Sequence, residues 1–364
     1  MEKSIKIHLE SCSFERQETL LLEHGLLQAS IFRYRSGVCG IRLTNPFGNL
    51  VILPYQGQQI WSMEFAGQSL AMQSVFDEPQ LTRDFLSNYG GFMLHCGLLS
   101  LGSGPEDNHP VHGELPNAPY QQAFVRAGSD EQGCYLEVGG SYRHAIAFTC
   151  DYRAEPLIRL YETGTTVQIS MEVTNLKSVP MEYMYLAHVN FRPADYGRLV
   201  YSAPCTADQV EVYRGLAAPF APTPAYAAFV ERVAQSPKIA DVLDPSHVLN
   251  PELLMYFYHY IADREGWAHS MHIQPDGYAG YVKHRPEQLD KVVRWMARTG
   301  SEDALGFALP STATPEGYTR EKAKGNIRLL PAKGSVLFQV EAGLLSPEQA
   351  VLMERHITAL LSGD

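Results

Sequence analysis

Three stretches of this chain concentrate histidine, asparagine, glycine and proline, residue types that build loops and can also move protons or hold ligands. The first runs Tyr89-Gly-Gly-Phe-Met-Leu-His-Cys-Gly-Leu-Leu-Ser-Leu-Gly102 and continues through His109 to His112-Gly-Glu-Leu-Pro-Asn-Ala-Pro119. The second is Leu186-Ala-His-Val-Asn-Phe-Arg-Pro193, and the third is Leu309-Pro-Ser-Thr-Ala-Thr-Pro-Glu-Gly-Tyr-Thr-Arg320. Each also has a plain structural reading. A histidine followed by glycine, as at His112, serves a turn. His188 sits in an apolar run where a hydrogen-bonded core histidine fits, and Pro315-Glu316-Gly317 is turn chemistry. A metal-dependent β-barrel enzyme would draw on His95, His109, His112 and His188. Yet His109 and His112 stand three apart on a loop, and no carboxylate falls at a recognisable ligand spacing. No metal is therefore assigned from the spacing.

These segments need a scaffold, and the chain is long enough to build a large one. Its 364 residues are 45% apolar, with 29 Lys and Arg against 40 Asp and Glu for a net charge of −11. The basic residues are scattered, which argues against a nucleic-acid groove and against an anionic membrane surface. The start, Met-Glu-Lys-Ser-Ile-Lys-Ile-His, lacks the apolar stretch of a signal peptide, and no run approaches the ~18 apolar residues of a membrane span. Cys12, Cys39, Cys96, Cys134, Cys150 and Cys205 lie far apart with no CxxC pair, so free thiols in a reducing, cytoplasmic compartment are expected.

Most of the chain reads as strands. Val167–Val173 alternates apolar and polar residues, as a half-buried strand does, and a break at Asn175–Pro180 precedes Met181–Phe191. Trp267–Gln274 and Tyr278–His284 flank Pro275-Asp276-Gly277 and predict a hairpin. Leu329–Pro331 and Ser335–Val340, around Lys333-Gly334, read as a further strand pair. Helices are few. Ser346-Pro347-Glu348-Gln349 is in capping-box order before an apolar face of Val351, Leu352, Ile357, Leu360 and Leu361. Leu289, Val292, Val293 and Met296 predict a second helix over Pro286–Arg298, and a third follows Thr223-Pro224. With no repeat or flexible linker, one all-β domain over residues 1–364 is expected.

Taken in order, four stretches resemble the aldose 1-epimerase (galactose mutarotase-like) superfamily, and in particular an uncharacterised branch of it. They are Gly90–Gly102 (GG-x-L-x-x-CGL-x-x-x-G), His112–Pro119 (HG-x-x-x-N-x-P), His188–Phe191 (H-x-N-F) and Pro310–Gly317 (P-x-x-x-x-PEG). The resemblance implies a large antiparallel β-sandwich with an open sugar site and no metal or cofactor. It implies mutarotation: an acid protonates the ring oxygen, a base removes the anomeric hydroxyl proton, and the opened sugar recloses as either anomer. By position His188 is the general acid and His112 the histidine that holds the ring end of the sugar, with Asn117, Asn190 and Glu316 beside them.

Two departures from the family pattern stand out. Leu309 occupies the position of the family's basic glutamate, and an aliphatic side chain accepts no proton. Glu114 occupies a loop position that commonly carries arginine, so the displaced base is sought there, with Glu316 in reserve. A sugar-binding relative that has lost its base is the alternative. Arg83, with Lys283 and Arg285 at a strand end, could engage an acidic sugar or phosphate, or could be solvated surface charges.

Overall fold

The computed structural model describes residues 4–215 and 222–363. Two large antiparallel sheets dominate. A nine-stranded sheet runs, edge to edge, Ile5–Leu9, Gln122–Asp130, Gly133–Ile146, Cys150–Tyr161, Thr166–Asn175, Ser335–Leu345, Ala279–His284, Ala268–Ile273 and Arg198–Tyr201. The second sheet has thirteen strands. Its middle is formed by Leu253–Phe257, Lys291–Arg298, Asp303–Ser311, Met181–Val189, Met93–Leu98 and Ile60–Phe65 in that spatial order.

The strands follow from their side-chain periods where one face is wet. In Thr166–Asn175 every second residue is buried, Val167 through Val173, and Met171 opposes Phe338 across the ladder. Met93–Leu98 is buried at all six positions and Met181–Val189 at all but Glu182. With both faces covered, no alternation survives, which is why this part of the Tyr89–Gly102 stretch reads as a loop in sequence although it is a central strand. The Pro275-Asp276-Gly277 hairpin forms, with Gly277 at φ +90° joining Ala268–Ile273 to Ala279–His284.

Helix α1, Pro224–Gln235, starts on a Thr223 cap. Helix α2, Tyr318–Lys324, falls at the end of the third loop-like stretch. Helix α3, Pro347–Ser362, carries the capping box of Ser346 and Gln349. Its buried face differs from the sequence reading: Ala350 and Ile357 face the sheet, while Val351, Leu352 and Leu361 are exposed. Residues 286–298 are not helical. Lys291–Arg298 is a strand between Leu253–Phe257 and Asp303–Ser311, because the spacing of Val292, Val293 and Met296 suits either period over so short a run and β-branched residues favour the sheet. Arg328–Leu330 and Ser335–Leu345 are both strands but not a pair. The first joins Met181–Tyr183 and the second lies in the other sheet.

Several imidazoles lie within this scaffold, His95, His272 and His284 buried and His112 half-buried. Burial lowers His95 and His284 to about 3 and His112 and His272 to about 4. They are neutral in the fold and titrate near ~6.5 when unfolded. Their contribution to stability is therefore complete above that pH and is lost as the pH falls toward the folded values, at about 1.4 kcal/mol per pKa unit and group. Glu252 and Glu321, both raised by burial, act in the opposite sense but are fewer. Thermal unfolding should shift to lower temperature between pH 7 and pH 5, before ordinary carboxylates titrate; an unchanged midpoint across that window would show that these imidazoles are hydrated or charged in the fold.

Candidate functional site

His112 reaches its place through a loop pressed onto the Met93–Leu98 strand. Its amide donates to Gly102 O at 3.1 Å, and its carbonyl accepts from Gly97 N at 2.9 Å. His112 has φ +58° and Gly113 φ +78°. A Cβ on Gly113 would lie 2.4 Å from Gly97 O and 2.5 Å from Ser100 O, so glycine at 113 is dictated both by backbone sign and by space. Asn117 locks the same loop to the short turn at Leu86–Asn88. Its Oδ1 accepts from Gln59 Nε2 at 2.8 Å and Asn88 Nδ2 at 2.9 Å, and its own amide donates to Asp84 O at 2.9 Å. That turn presents Phe85 and Tyr89.

His188 arrives from the end of Met181–Val189, opposite Leu94. The two imidazoles, 76 positions apart, meet with ring centroids 5.4 Å apart and planes at 89°. Phe85 lies 4.9 Å from His112 and 4.8 Å from Tyr89, centroid to centroid. Trp295 stands edge-on to His188 and to Tyr89, 5.7 Å from each. Tyr89 Oη donates to Asn190 Oδ1 at 3.1 Å and lies 3.3 Å from His188 Nε2, while Asn190 Nδ2 donates to Gly91 O at 3.1 Å. Asn190 thereby orients Tyr89, which in turn braces His188. His188 is 4% exposed; Tyr89, His112 and Trp295 form a half-buried rim.

The electrostatics are those of a dry site. Desolvation lowers His112 to about 4, with His109 a lesser cause. His188 is held well below the usual imidazole value by desolvation and then by His112, while an Asn190 hydrogen bond opposes the shift. Both rings are therefore neutral at pH 7, and the Nδ1 atom of each is buried without a hydrogen-bond partner among the described residues. One carboxylate adjoins the cluster. Glu252 Oε2 accepts from the Trp295 indole Nε1–H at 2.7 Å. Desolvation raises its pKa, with that hydrogen bond opposing, and its charge helps to raise Tyr89.

Leu309 lies on the Asp303–Ser311 strand opposite Val293, on the strand that carries Trp295, and is 1% exposed. It folds back on Gly306, where an added Cβ would lie 2.8 Å from Leu309 Cδ2, and Gly306 pairs with Trp295. At the position where the resemblance leads one to expect a base, this chain has aliphatic packing.

The other residues singled out in the sequence have different partners. Glu114 Oε1 accepts from Leu98 N at 3.1 Å, Leu99 N at 3.2 Å and Tyr152 Oη at 2.6 Å, so the carboxylate holds the end of the strand under the His112 loop. Arg83 donates to Asn117 O at 2.7 Å and Glu114 O at 3.3 Å. Both line a neighbouring groove of about 540 Å³ whose walls include Asp107, His109 and Tyr318 but neither His112 nor His188. Glu316 is held by Lys324, with Arg320 3.7 Å away. Lys283 pairs with Glu341 at 2.9 Å on the nine-stranded sheet and sits over Trp267, as does Arg285. No contact among the described residues joins this pair to Arg83, so the anion-binding trio does not assemble. Nor do the four histidines considered for a metal: His95 Nδ1 is engaged by Tyr185 Oη at 2.6 Å, and among the described residues the only gathered ligand set lies elsewhere.

Trp295 and Glu252 carried no signal in the loop-centred reading. Trp295 lay in the segment expected to be helical. Glu252 follows Asn250-Pro251, a turn dipeptide directly before a strand, and that placement is the cue that could have flagged it.

Residues 36–193 match the family model described as a domain of unknown function, DUF4432. No curated protein matches the sequence. Among solved structures, a "putative aldose 1-epimerase" from Klebsiella pneumoniae superposes with a TM-score of 0.82 at 14% identity, over 99% of this chain and 96% of that one. A galactose mutarotase-like protein from Clostridium acetobutylicum gives 0.61 at 13% identity, over 88% and 99%. One from Lactobacillus casei gives 0.53 at 14%, over 84% and 100%. The chain has the galactose mutarotase-like fold. No helix among the described residues is long and apolar enough to cross a membrane.

Proposed function

We propose that this chain is an aldose 1-epimerase-like isomerase that interconverts the anomers of a hexose or modified sugar by acid/base ring opening, as one domain working in the cytoplasm without a cofactor. The observation that carries the reading is the pair of neutral imidazoles, buried His188 and half-buried His112, meeting at 5.4 Å beside an aromatic wall. Flat aromatic faces with a few placed polar atoms suit a sugar ring, which has apolar C–H faces and a polar edge. His188 is the acid toward the ring oxygen, and His112 holds the ring end of the sugar.

Leu309 removes the usual base, and Glu114 is engaged by two amides and a phenol. The carboxylate bonded to the aromatic wall is Glu252, which accepts from Trp295, the ring that packs on His188. We assign it the anomeric proton. Desolvation keeps His188 neutral in the free protein. His188 must therefore take a proton from solvent as sugar binds; the imidazolium then gives that proton to the ring oxygen while Glu252 takes the proton of the anomeric hydroxyl, so the two groups work as a coupled acid and base.

The test is direct. Freshly dissolved single anomers of a panel of aldoses are followed by polarimetry or exchange NMR with and without the protein. Acceleration for at least one sugar is the expected result. Sugar binding without acceleration would instead assign a non-catalytic carbohydrate-binding protein, the reading that Leu309 favours.

A further inference from the structure

A second cluster of chemically capable side chains lies on the nine-stranded sheet, apart from the imidazole pair. Asp263, His269 and His356 bring Oδ2, Nε2 and one further imidazole nitrogen within 4.8 Å of one another. They come from three separate elements: the turn before the Ala268–Ile273 strand, the strand itself, and helix α3. We propose that they form a site for a divalent transition cation of the zinc class, with two imidazoles and one carboxylate as ligands, which clamps helix α3 to the sheet.

The surroundings look like those of an oriented ligand set. Asp263 Oδ1 accepts from Glu265 N and Trp267 N, both at 2.9 Å, which turns Oδ2 toward the histidines. Oδ2 lies 2.9 Å from His269 Nε2 and 3.7 Å from His356 Nε2. Ligand atoms about 2.0–2.2 Å from a tetrahedral zinc stand roughly 3.3–3.6 Å apart, so these two distances bracket what a metal requires. The remaining adjustment falls on His356, whose side chain is 44% exposed and free to turn. His269 Nδ1 bonds Tyr281 Oη at 2.7 Å, the kind of outer contact that fixes which ring nitrogen faces a metal. Without a cation His269 Nε2–H donates to Asp263 Oδ2 at 2.9 Å and Tyr281 Oη donates to Nδ1; a bound cation would take the Nε2 lone pair, with the proton moved to Nδ1 and donated to Tyr281. The nearby positive charge, Lys283, is neutralised by Glu341 at 2.9 Å. Three protein ligands leave a fourth position for water.

The clamp has a mechanical purpose. Helix α3 packs on a small separate apolar cluster through Ala350, Met353 and Ile357 against Met271, Tyr281 and Leu345. Its other fastening here is the ion pair of Arg198 with Glu354 at 2.9 Å, a surface contact of small value. A metal bridge binds only the docked helix and so stabilises it by mass action.

The experiment titrates the full-length protein, first stripped with chelator, with Zn²⁺ while following thermal unfolding, and with Co²⁺ while following its visible absorption. Expected are a rise in the unfolding midpoint with Zn²⁺ and tetrahedral-type Co²⁺ bands at one equivalent. Both should be lost in His356→Ala and Asp263→Asn and kept in His8→Ala, an exposed histidine elsewhere. His356 is exposed enough for its variant to fold, which the metal-free unfolding curve checks. No response in the wild type, or an equal response in His356→Ala, overturns the assignment.

Discussion

Replacing His188 by alanine should reduce anomer exchange by about 10²–10⁴-fold, the range that a positioned acid–base group contributes, and leave the fold intact. The ring touches Tyr89 by a long 3.3 Å contact and packs edge-on against Tyr89, His112 and Trp295, but it holds no backbone group in place. Its loss therefore leaves a partly wet gap within the aromatic wall. The destabilisation should be that of removing one partly satisfied ring, about 1–3 kcal/mol, which a chain of this size survives. A merely structural histidine would show the reverse pattern: a lowered unfolding midpoint with the exchange rate preserved. His188→Gln offers a second check, because it restores a hydrogen-bonding group toward Tyr89 without an ionisable nitrogen. If Gln recovers stability but not exchange, proton transfer is the function of the ring.

The fold and half of this site were legible in the sequence for identifiable reasons. His112-Gly113 was visible as turn chemistry, and the glycine is required there because its φ is +78° and a Cβ would meet Gly97 O and Ser100 O. Strands with one wet face announced themselves by alternation, and the capping box of α3 by its hydroxyl and amide spacing. What was hidden is hidden by burial or by distance. The Met93–Leu98 strand lost its period because both faces are covered. Lys291–Arg298 mimicked a helix because three apolar positions in a short run fit two periods. Glu114 looked free, since nothing local reveals that its partners are the Leu98 and Leu99 amides and a phenol 38 positions on. Glu252 looked ordinary, since its only mark is an indole 43 positions away. Side-chain partners across a ladder are set by register, and a single sequence does not display register.

Glu252→Gln should lower exchange by a similar 10²–10⁴-fold while sugar binding persists, because the change removes basicity and little else. Gln retains an oxygen in the position of Oε2, so the Trp295 indole keeps its acceptor and the aromatic wall keeps its shape. The wild-type pH profile carries an independent signature. Burial raises Glu252 above its ordinary value, with the Trp295 hydrogen bond only partly opposing. A base must be ionised to act, so exchange should rise with pH through this elevated pKa and fall off on the acid side at a higher pH than an exposed carboxylate would impose. In Glu252→Gln that acid limb should vanish from whatever rate remains. Glu252→Asp should recover part of the rate, because it restores a carboxylate one methylene short of the anomeric hydroxyl. If Glu252→Gln exchanges sugar within about threefold of wild type and keeps its acid limb, then the carboxylate only steadies Trp295. Proton removal would then pass to the neutral His112, which packs against His188 and whose buried Nδ1 has no hydrogen-bond partner among the described residues.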